Sequence, residues 1–506
     1  MLCTLRSTTA LAAVVAAALM AGPAAAKDFC TLGVPGCDNT YAGIQPALDA
    51  AALNDGPDRV LIGSGTWIGN FHANGATTIE GSGPLTTLSQ SSYGGAVGNP
   101  FVLFVSGPGS QVRNLRIKLP AGDGPRGLRL NGGAAAENVK VDGAGAHYGI
   151  GVHLASAHFS GEVDLPAGNI GAVAWSGVEI LNSRLAGASA LHVQADTGGT
   201  TVHHSTLIGR GASVVTSGSG ALTMQNTLVD GRAPGSGTGI STYAQSSSAL
   251  HTIDLRHVTV LGHGEDPQSI GIDARSFGSS ETVTVNVRDS VVSGFGSHAI
   301  SRVGAGTANL SLDHVAISPA SAVQESGAGV LTTSHLTNAD PVFAADGFTP
   351  AAGSPLIDAG TPGPLDSGES PLDLAGNPRV LGFGCGEPQR DLGAIEAVGG
   401  CSPAGTAPAP GDPSPAPSHD TAAPRVTKLR IVRRRAVRFA LSEAARVTVR
   451  VSRAHHKRVV MRRAAKSGSV NFKLKRILRH GRYAIRVIAV DGAGNRSAPA
   501  VVRRRI

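Results

Sequence analysis

Five side chains suited to acid–base chemistry lie within one short stretch of the chain. Two carboxylates at a set separation can hydrolyse a glycosidic bond. A base beside a cation that neutralises a uronate can instead eliminate across the sugar ring. Glu265 or Asp266 with Asp273 would serve hydrolysis, and Arg275 or His263 would serve elimination. Acidic pairs in loops are more often simply solvated, so this stretch leaves catalysis open.

A second set of side chains is suited to holding a sugar chain without reacting with it. An aromatic ring can stack on a sugar face, while amides, hydroxyls and imidazoles bond its hydroxyls. Strand positions next to inward apolar residues face outward. This alternation predicts outward binding residues, on the same face as Asp273 and Arg275, at His153, His192, Gln194, Ser241, Tyr243 and Ser301.

The elements that carry these residues belong to a repeat. A polar residue, two variable positions, an apolar residue, one variable position and Gly recur about every 22 residues, as in Asn182–Gly187 and His204–Gly209. Such a period fits one solenoid turn. Alternating stretches lie before and after each copy, so each turn holds three short strands. We therefore predict an all-β parallel β-helix with about ten coils and three strands per coil.

The leading polar residue of each copy, called an anchor below, has a simpler explanation than chemistry. Asn, Asp and His tolerate left-handed backbone geometry better than most residues, and Asn can form ladders between coils. We therefore expect turn residues at the anchors Asn114, Asn138, Asn182, His204, Asn226, His257, Asp289 and His314.

Coil length varies at one point of the repeat. The intervals that start at Asn226 and His257 are 31 and 32 residues long, and most of the extra length lies in 232–238 and 263–270. Two neighbouring coils thus raise two adjacent loops, which predicts a groove beside the outward residues.

An open solenoid needs a cover at each end. At the front, Ile44, Leu48 and the stretch 51–53 form one apolar helical face, which predicts a capping helix. At the back, the repeat stops after Ile317 and a Pro- and Gly-rich segment follows to about Gly400.

These features resemble the right-handed parallel β-helix repeats of the pectate-lyase-like superfamily, over residues 27–400. The stretches 340–343, 353–360, 373–380 and 391–396 resemble the closing segment of bacterial exported and surface β-helix proteins. The resemblance implies a right-handed helix with a ligand along one outer sheet face. Polygalacturonase-like Gly262–Gly264 and Arg116–Lys118 occur in the wrong order for that family, so the resemblance leaves activity open.

The first 26 residues predict a secretory signal peptide, with a basic start, an apolar run and three alanines before Lys27. Export permits disulfides, and sequence proximity favours Cys30 with Cys37 and Cys385 with Cys401. We expect a secreted or cell-surface protein without a transmembrane segment.

Charge separates the chain into an acidic body and a basic tail. Residues 424–506 hold 25 of the 43 Lys and Arg but only 2 of the 35 acidic residues. A Pro-, Ala- and Ser-rich linker is predicted over 401–423. Alternating stretches beyond it predict a small β-sandwich over 424–506, and 481–495 resembles the closing strands of immunoglobulin-like or fibronectin-type-III-like modules.

Three functions stay open at this stage. The leading hypothesis is a β-helix that binds polysaccharide, held near an anionic envelope polymer by its basic module. A polysaccharide lyase or glycoside hydrolase is the alternative, and a passive structural or adhesive spacer is the third. We expect a monomer and no nucleic-acid partner. No cofactor or metal motif is evident, and Ca²⁺ binding stays open.

Overall fold

The computed structural model describes residues 26–398 and 424–505, apart from 55, 91–100, 144–145, 167, 195–197, 234–236, 243–249, 265, 319–322, 381–388, 433, 435, 443–444, 454–455, 467, 474–479, 491–496 and 498–499. The chain forms two compact units, Met1–Ala404 and Gly405–Ile506. Several predicted features lie outside the described residues: the signal peptide up to residue 25, the linker over 401–423, Tyr243, Glu265, Cys385 and Cys401.

The first unit is a right-handed parallel β-helix, as the repeat predicted. Its strands pair in parallel from coil to coil. Sheet 1 contains two strands of each coil, and these often run on as one bent strand: Asp28–Thr31, Asn39–Tyr41, Arg59–Leu61, Gly65–Ile68, Thr78–Glu80, Thr86–Ser89, Gln111–Leu119, Ala135–Gly143, His158–Asp164, Val178–Leu181, Arg184–Gly187, Thr200–His203, Thr206–Gly209, Ala221–Gly231, Leu250–Gly262, Thr282–Ser293, Thr307–Ser318 and Leu331–Thr337.

Sheet 2 contains the third strand of each coil and follows the loops of variable length. Its strands are Phe71–Asn74, Phe101–Ser106, Arg126–Asn131, Ile150–Ala155, Ile170–Ala174, Ser189–Val193, Ala212–Thr216, Thr238–Thr242, Ile270–Ser276, His298–Gly304 and Val323–Glu325. Two short strands, Gly122–Asp123 and Ala146–His147, pair separately.

The core is built of apolar columns that run along the helix axis. Because neighbouring coils pair in register, one inward position of sheet 2 recurs in every coil. Fully burying such a side chain stabilises the fold by about 1.5–3 kcal/mol. The column comprises Leu103, Leu128, Val152, Ala172, Leu191, Val214, Ile240, Ile272 and Ile300, all at most 1 % exposed.

The anchors are left-handed turn residues, which confirms the prediction made for them. All eight have φ between 47° and 56°, and His335 is a ninth with φ 51°. Each lies where a sheet 1 strand bends toward the next face of the coil. The Asn138 amide donates to Oδ1 of Asn114 over 2.8 Å, so the Asn ladder is also present.

Five anchors also hold the closing segment, defined here as residues 340–398. The carbonyl of Leu372 accepts hydrogen bonds from Asn226 (2.8 Å) and His204 (3.1 Å). Asp289 accepts the Thr361 amide over 2.7 Å. His257 contacts Glu369 over 2.8 Å, and His314 lies 3.5 Å from the Thr361 hydroxyl. The segment therefore lies along the flank of the helix, over the anchors from His204 to His314.

Two fully buried arginines fix the closing segment. Arg379 pairs with Glu396 over 2.6 Å and donates to Oδ1 of Asn226 over 2.5 Å. Arg390 forms a bidentate pair with Glu369. Burial acts to raise the pKa of Glu369, but hydrogen bonds from Arg390 and His257 outweigh it and hold that pKa well below its usual range.

The front cap is a helix, α1, over Ile44–Ala52, and it buries Ile44, Ala47, Leu48 and Ala51. Leu53, which the sequence placed on the apolar face, is 88 % exposed because the helix ends before it. A single 3₁₀ turn follows at Gly83–Leu85. The predicted Cys30–Cys37 disulfide is present in the first coil.

The second unit is a small β-sandwich of two antiparallel sheets. One contains Val426–Val432, Ala436–Leu441 and Gly468–Lys473. The other contains His456–Ala465, Ala445–Arg453, Arg482–Val490 and Ala500–Arg505. Both sheets contribute to one core, in which Phe439 and Phe472 stack. Among the described residues of either unit, no helix is long and apolar enough to cross a membrane.

Candidate functional site

The outer face of sheet 2 contains most of the predicted binding residues. Strand register places His153, His192, Ser241 and Ser301 in one row beside the inward column, and Asp273 falls in the same row. His153, His192, Gln194 and Ser241 are partly exposed. Ser301 is fully buried and Asp273 is 6 % exposed. The first four side chains are therefore the accessible ones.

The C-terminal half of this face brings together only part of the predicted catalytic set. Asp273 and Arg275 form an ion pair of 3.1 Å, and the Arg275 guanidinium lies over the Phe277 ring. The Asp266 carboxylate accepts the Gln268 amide within its own turn. No hydrogen bond or ion pair between described residues joins Asp266 to Asp273 or Arg275. Carboxylates that hydrolyse a glycosidic bond lie about 5–9.5 Å apart rather than in contact, so a two-carboxylate centre of Asp266 and Asp273 stays a prediction.

The N-terminal half contains a feature that the sequence did not predict, an Arg–aromatic cluster of Phe101, Phe104, Arg126, Arg129, His153 and Trp175. Strand register places Arg126 beside Phe101, and Arg129 between Phe104 and His153. The guanidinium carbons lie 5.2–5.6 Å from the phenyl centroids. These distances allow cation–π attraction of about 0.5–2 kcal/mol each.

The aromatic rings of the cluster continue across the coils. His153 lies 5.8 Å from Phe101 and 5.7 Å from Trp175, measured between ring centroids. Trp175 is 40 % exposed, and Tyr148, in the loop before the strand of His153, is 83 % exposed. The indole that contacts His153 is therefore partly open to solvent, and the phenol of the preceding loop is exposed.

The cluster has positive charge without local compensation. Neither Arg126 nor Arg129 pairs with a carboxylate among the described residues, although most other arginines of the β-helix do. Burial, followed by the charges of Arg129 and Arg126, lowers the pKa of His153 to about 4. His153 is therefore neutral near pH 7. Its Nδ1 and the Nε of Arg129 are buried atoms with no hydrogen-bond partner in the described structure.

Polar side chains extend the surface beyond Trp175. The Gln194 amide donates to the carbonyl of Ala174, the residue before Trp175, over 2.7 Å, and His192 bonds the Ser217 hydroxyl over 3.0 Å. Strands lie about 4.8 Å apart. The five spacings between the strands of Phe101 and Ser217 therefore give a surface about 24 Å long, with a cationic aromatic end and a polar end.

Sequence reasoning missed the cluster because it followed loop length. The longest loops drew attention to the coils after Asn226, while Arg126 and Trp175 lie in coils of ordinary length. One signal was available: Phe101 and Phe104, then Arg126 and Arg129, repeat the same spacing in consecutive coils.

The second unit offers a separate basic surface. Register places arginine opposite arginine in three antiparallel pairs: Arg430 with Arg438, Arg450 with Arg486, and Arg482 with Arg505. Like charges directly opposite each other destabilise a sheet.

Neither a protein-family model nor a curated protein sequence matches the chain. Among solved structures, it is similar to an alginate lyase from Paenibacillus sp. strain FPU-7, with 14 % identity and a TM-score of 0.28, over 61 % of this chain and 99 % of that one. It is also similar to YbhC from Escherichia coli, with 15 % identity and a TM-score of 0.23, over 59 % of this chain and 73 % of the other. At these TM-scores the two likenesses carry no argument about the site.

Proposed function

We propose that the chain is a secreted or cell-surface protein that binds an acidic polysaccharide on the Arg–aromatic cluster. One observation carries the proposal: Arg126 and Arg129 stack on phenyl rings without a carboxylate partner among the described residues, and His153 lies between Arg129 and the partly exposed indole of Trp175. The predicted signal peptide and the Cys30–Cys37 disulfide support export, because disulfides persist in oxidising compartments.

The chemistry of the cluster fits a uronate polymer. A guanidinium group offers a planar fork that matches a carboxylate, and stacking on a ring orients that fork. An exposed indole offers a flat apolar face for the C–H surface of a sugar ring. Gln194 and His192 supply hydrogen bonds to hydroxyls further along the axis. A polymer lying along the coils would meet these groups in order.

The basic second unit would hold the protein at an anionic envelope polymer. Its cross-strand arginine pairs support this role, since a polyanion would relieve their repulsion. Counterion release makes such binding strongly salt-dependent. Affinity of the full chain for an acidic polymer that does not change with salt would contradict this part.

Binding to alginate and polygalacturonate, with neutral dextran beside them, tests the main proposal. The full chain should bind the two uronate polymers and not dextran. Arg126→Gln/Arg129→Gln should weaken binding at least tenfold, because both carboxylate contacts are lost. The matched control is Arg113→Gln/Arg184→Gln, which removes the same charge from arginines paired with Glu137 and Glu162 on sheet 1.

Two results of the binding experiment would contradict the proposal. Equal losses in the cluster variant and the control would show that only net charge matters. No retention of any glycan at any salt concentration would instead favour the passive spacer.

A polysaccharide lyase is the second candidate, favoured by the neutral His153 beside two arginines. Arg126 and Arg129 would neutralise the uronate carboxylate, and His153 would accept the proton at C5. The C4–O bond would break as the C4=C5 double bond forms, and the leaving oxygen would take up a proton. Ultraviolet absorbance of unsaturated ends, abolished in His153→Gln, would establish this activity. Binding of a uronate polymer without such absorbance would exclude the lyase and support the binding function alone.

A further inference from the structure

Near the end of the β-helix, two anchors and an aspartate bring three metal-binding atoms together. Nδ1 of His314 and Nδ1 of His335 lie 3.0 and 3.1 Å from the same oxygen, Oδ1 of Asp313. The two imidazole rings stack with centroids 4.2 Å apart. All three potential ligand atoms lie within 4.8 Å of one another. We propose that Asp313, His314 and His335 bind a divalent transition-metal ion of the Zn²⁺ class.

The fold brings these residues together through strand register. Asp313 pairs with Ser334, and Val315 pairs with Leu336, so His314 and His335 occupy the same turn in consecutive coils. Both have φ 51°, and this shared left-handed turn stacks their side chains. The arrangement repeats the Asn114–Asn138 ladder with imidazoles in place of amides.

Two of the three distances between the ligand atoms suit an ion. Bonds of about 2.0–2.1 Å to nitrogen and oxygen place neighbouring ligands roughly 3.0–3.4 Å apart at octahedral to tetrahedral angles. The two nitrogen–oxygen distances around Oδ1 fall within that range. Three protein ligands leave a fourth position for water, as in open zinc sites.

Neighbouring groups orient the carboxylate. The Ser334 hydroxyl donates to Oδ1 of Asp313 over 2.8 Å, and Nε of Arg288 lies 3.6 Å from Oδ2. The arginine therefore faces the oxygen that points away from the imidazoles. Two imidazoles with one carboxylate favour Zn²⁺ and related ions over Ca²⁺ or Mg²⁺, which prefer oxygen ligands.

The position gives the ion a structural task. His335 lies on Leu331–Thr337, the last strand of sheet 1 that the structure describes in this unit, and four of that strand's seven side chains are exposed. An ion shared with Asp313 and His314 would join this strand to the preceding coil. It would stabilise the end of the solenoid, where the described pairing stops.

Zinc titration of the full chain, prepared without an affinity tag and treated with chelator, tests the proposal. One saturable site per chain is expected by calorimetry, and Zn²⁺ should slow amide hydrogen exchange in residues 331–337. His335→Gln should abolish the site without disturbing the core, because this side chain is 67 % exposed. Ser334→Ala should weaken it about 10-fold, as loss of a supporting hydrogen bond does elsewhere.

His158→Gln is the matched control. His158 is an exposed histidine that contacts one carboxylate, Glu179, and it should leave the zinc site unchanged. Cobalt provides an independent readout, since visible bands of four-coordinate Co²⁺ should appear in the native chain and disappear in His335→Gln. A chain without a saturable site, or a site that survives both His335→Gln and Asp313→Asn, would overturn the proposal.

Discussion

The imidazole of His153 lies 5.7 Å from the indole of Trp175, with an interplanar angle of 48°. This contact joins a partly buried, neutral titratable group to an exposed aromatic face. It connects the charge of Arg126 and Arg129 with the surface that a sugar ring would meet. Both pH and aromatic substitution should therefore affect the same site.

The protein should become less stable as pH drops from about 6.5 to about 4, and His153 should contribute to this loss. Its pKa is about 4 in the folded chain and about 6.5 when unfolded, because burial and two arginines oppose its charge. Between these values the unfolded chain binds more protons, so this contribution is present above pH 6.5 and lost as pH falls toward 4. Melting temperatures at several pH values should show a smaller acid-induced decrease for His153→Gln. Parallel curves for the two proteins would contradict this assignment.

Replacing Trp175 should weaken polysaccharide binding without unfolding the chain. Trp175→Ala removes an exposed stacking face, and such contacts contribute about 0.5–1.5 kcal/mol, a loss of roughly two- to thirteenfold in affinity. Fluorescence separates the two tryptophans of the chain. In Trp67→Phe, whose indole bonds the Gly63 carbonyl away from the cluster, added uronate polymer should still shift the emission. The shift should vanish in Trp175→Ala.

The anchors should tolerate glycine and reject β-branched residues. Asn138 has φ 56°, which costs an ordinary side chain about 1–2 kcal/mol and costs glycine almost nothing. Asn138→Gly should therefore unfold close to the native temperature, while Asn138→Val should unfold at a clearly lower one. Equal melting temperatures for the two variants would mean that backbone geometry does not select these residues.

Breaking the buried pair of the closing segment should be far more costly than breaking a surface pair. Arg379→Met leaves the fully buried Glu396 without its partner, which should cost about 3–5 kcal/mol. Arg113→Met, at an exposed pair with Glu137, should cost less than about 1 kcal/mol. Free energies of unfolding from urea titration would compare them, and proteolysis of residues 340–398 should speed up only in the first variant. Similar losses would show that Arg379 is not a central contact.

Much of the fold could be predicted because each coil of a solenoid corresponds to one short repeat of the sequence. The anchors from Asn114 to His314 and the inward residues Leu191, Ile240, Ile272 and Ile300 of sheet 2 follow from local spacing alone. Leu53 was misplaced because helix ends depend on a single turn of chain. Coverage of five anchors by the closing segment could not be predicted, since Arg379 and Asn226 are joined only in three dimensions.

The candidate site was predicted less completely. His153, His192 and Gln194 were identified by alternation, whereas Arg126 and Trp175 were not. Their role depends on which neighbours lack a carboxylate and which rings remain uncovered, and both are properties of packing between coils. The predicted site beside the long loops stays a prediction, and there Asp266 accepts the Gln268 amide within its own turn.

The closing segment affects how the β-helix unfolds. In a solenoid each coil contacts only its neighbours, so coils can open one at a time. The anchors from His204 to His314 join five coils to the closing segment, so these five coils should unfold together. Among the described residues, the coils from Phe101 to Trp175 have no comparable contacts with the closing segment. A polymer bound across these coils would join them in a similar way, so ligand binding would stiffen this part of the β-helix.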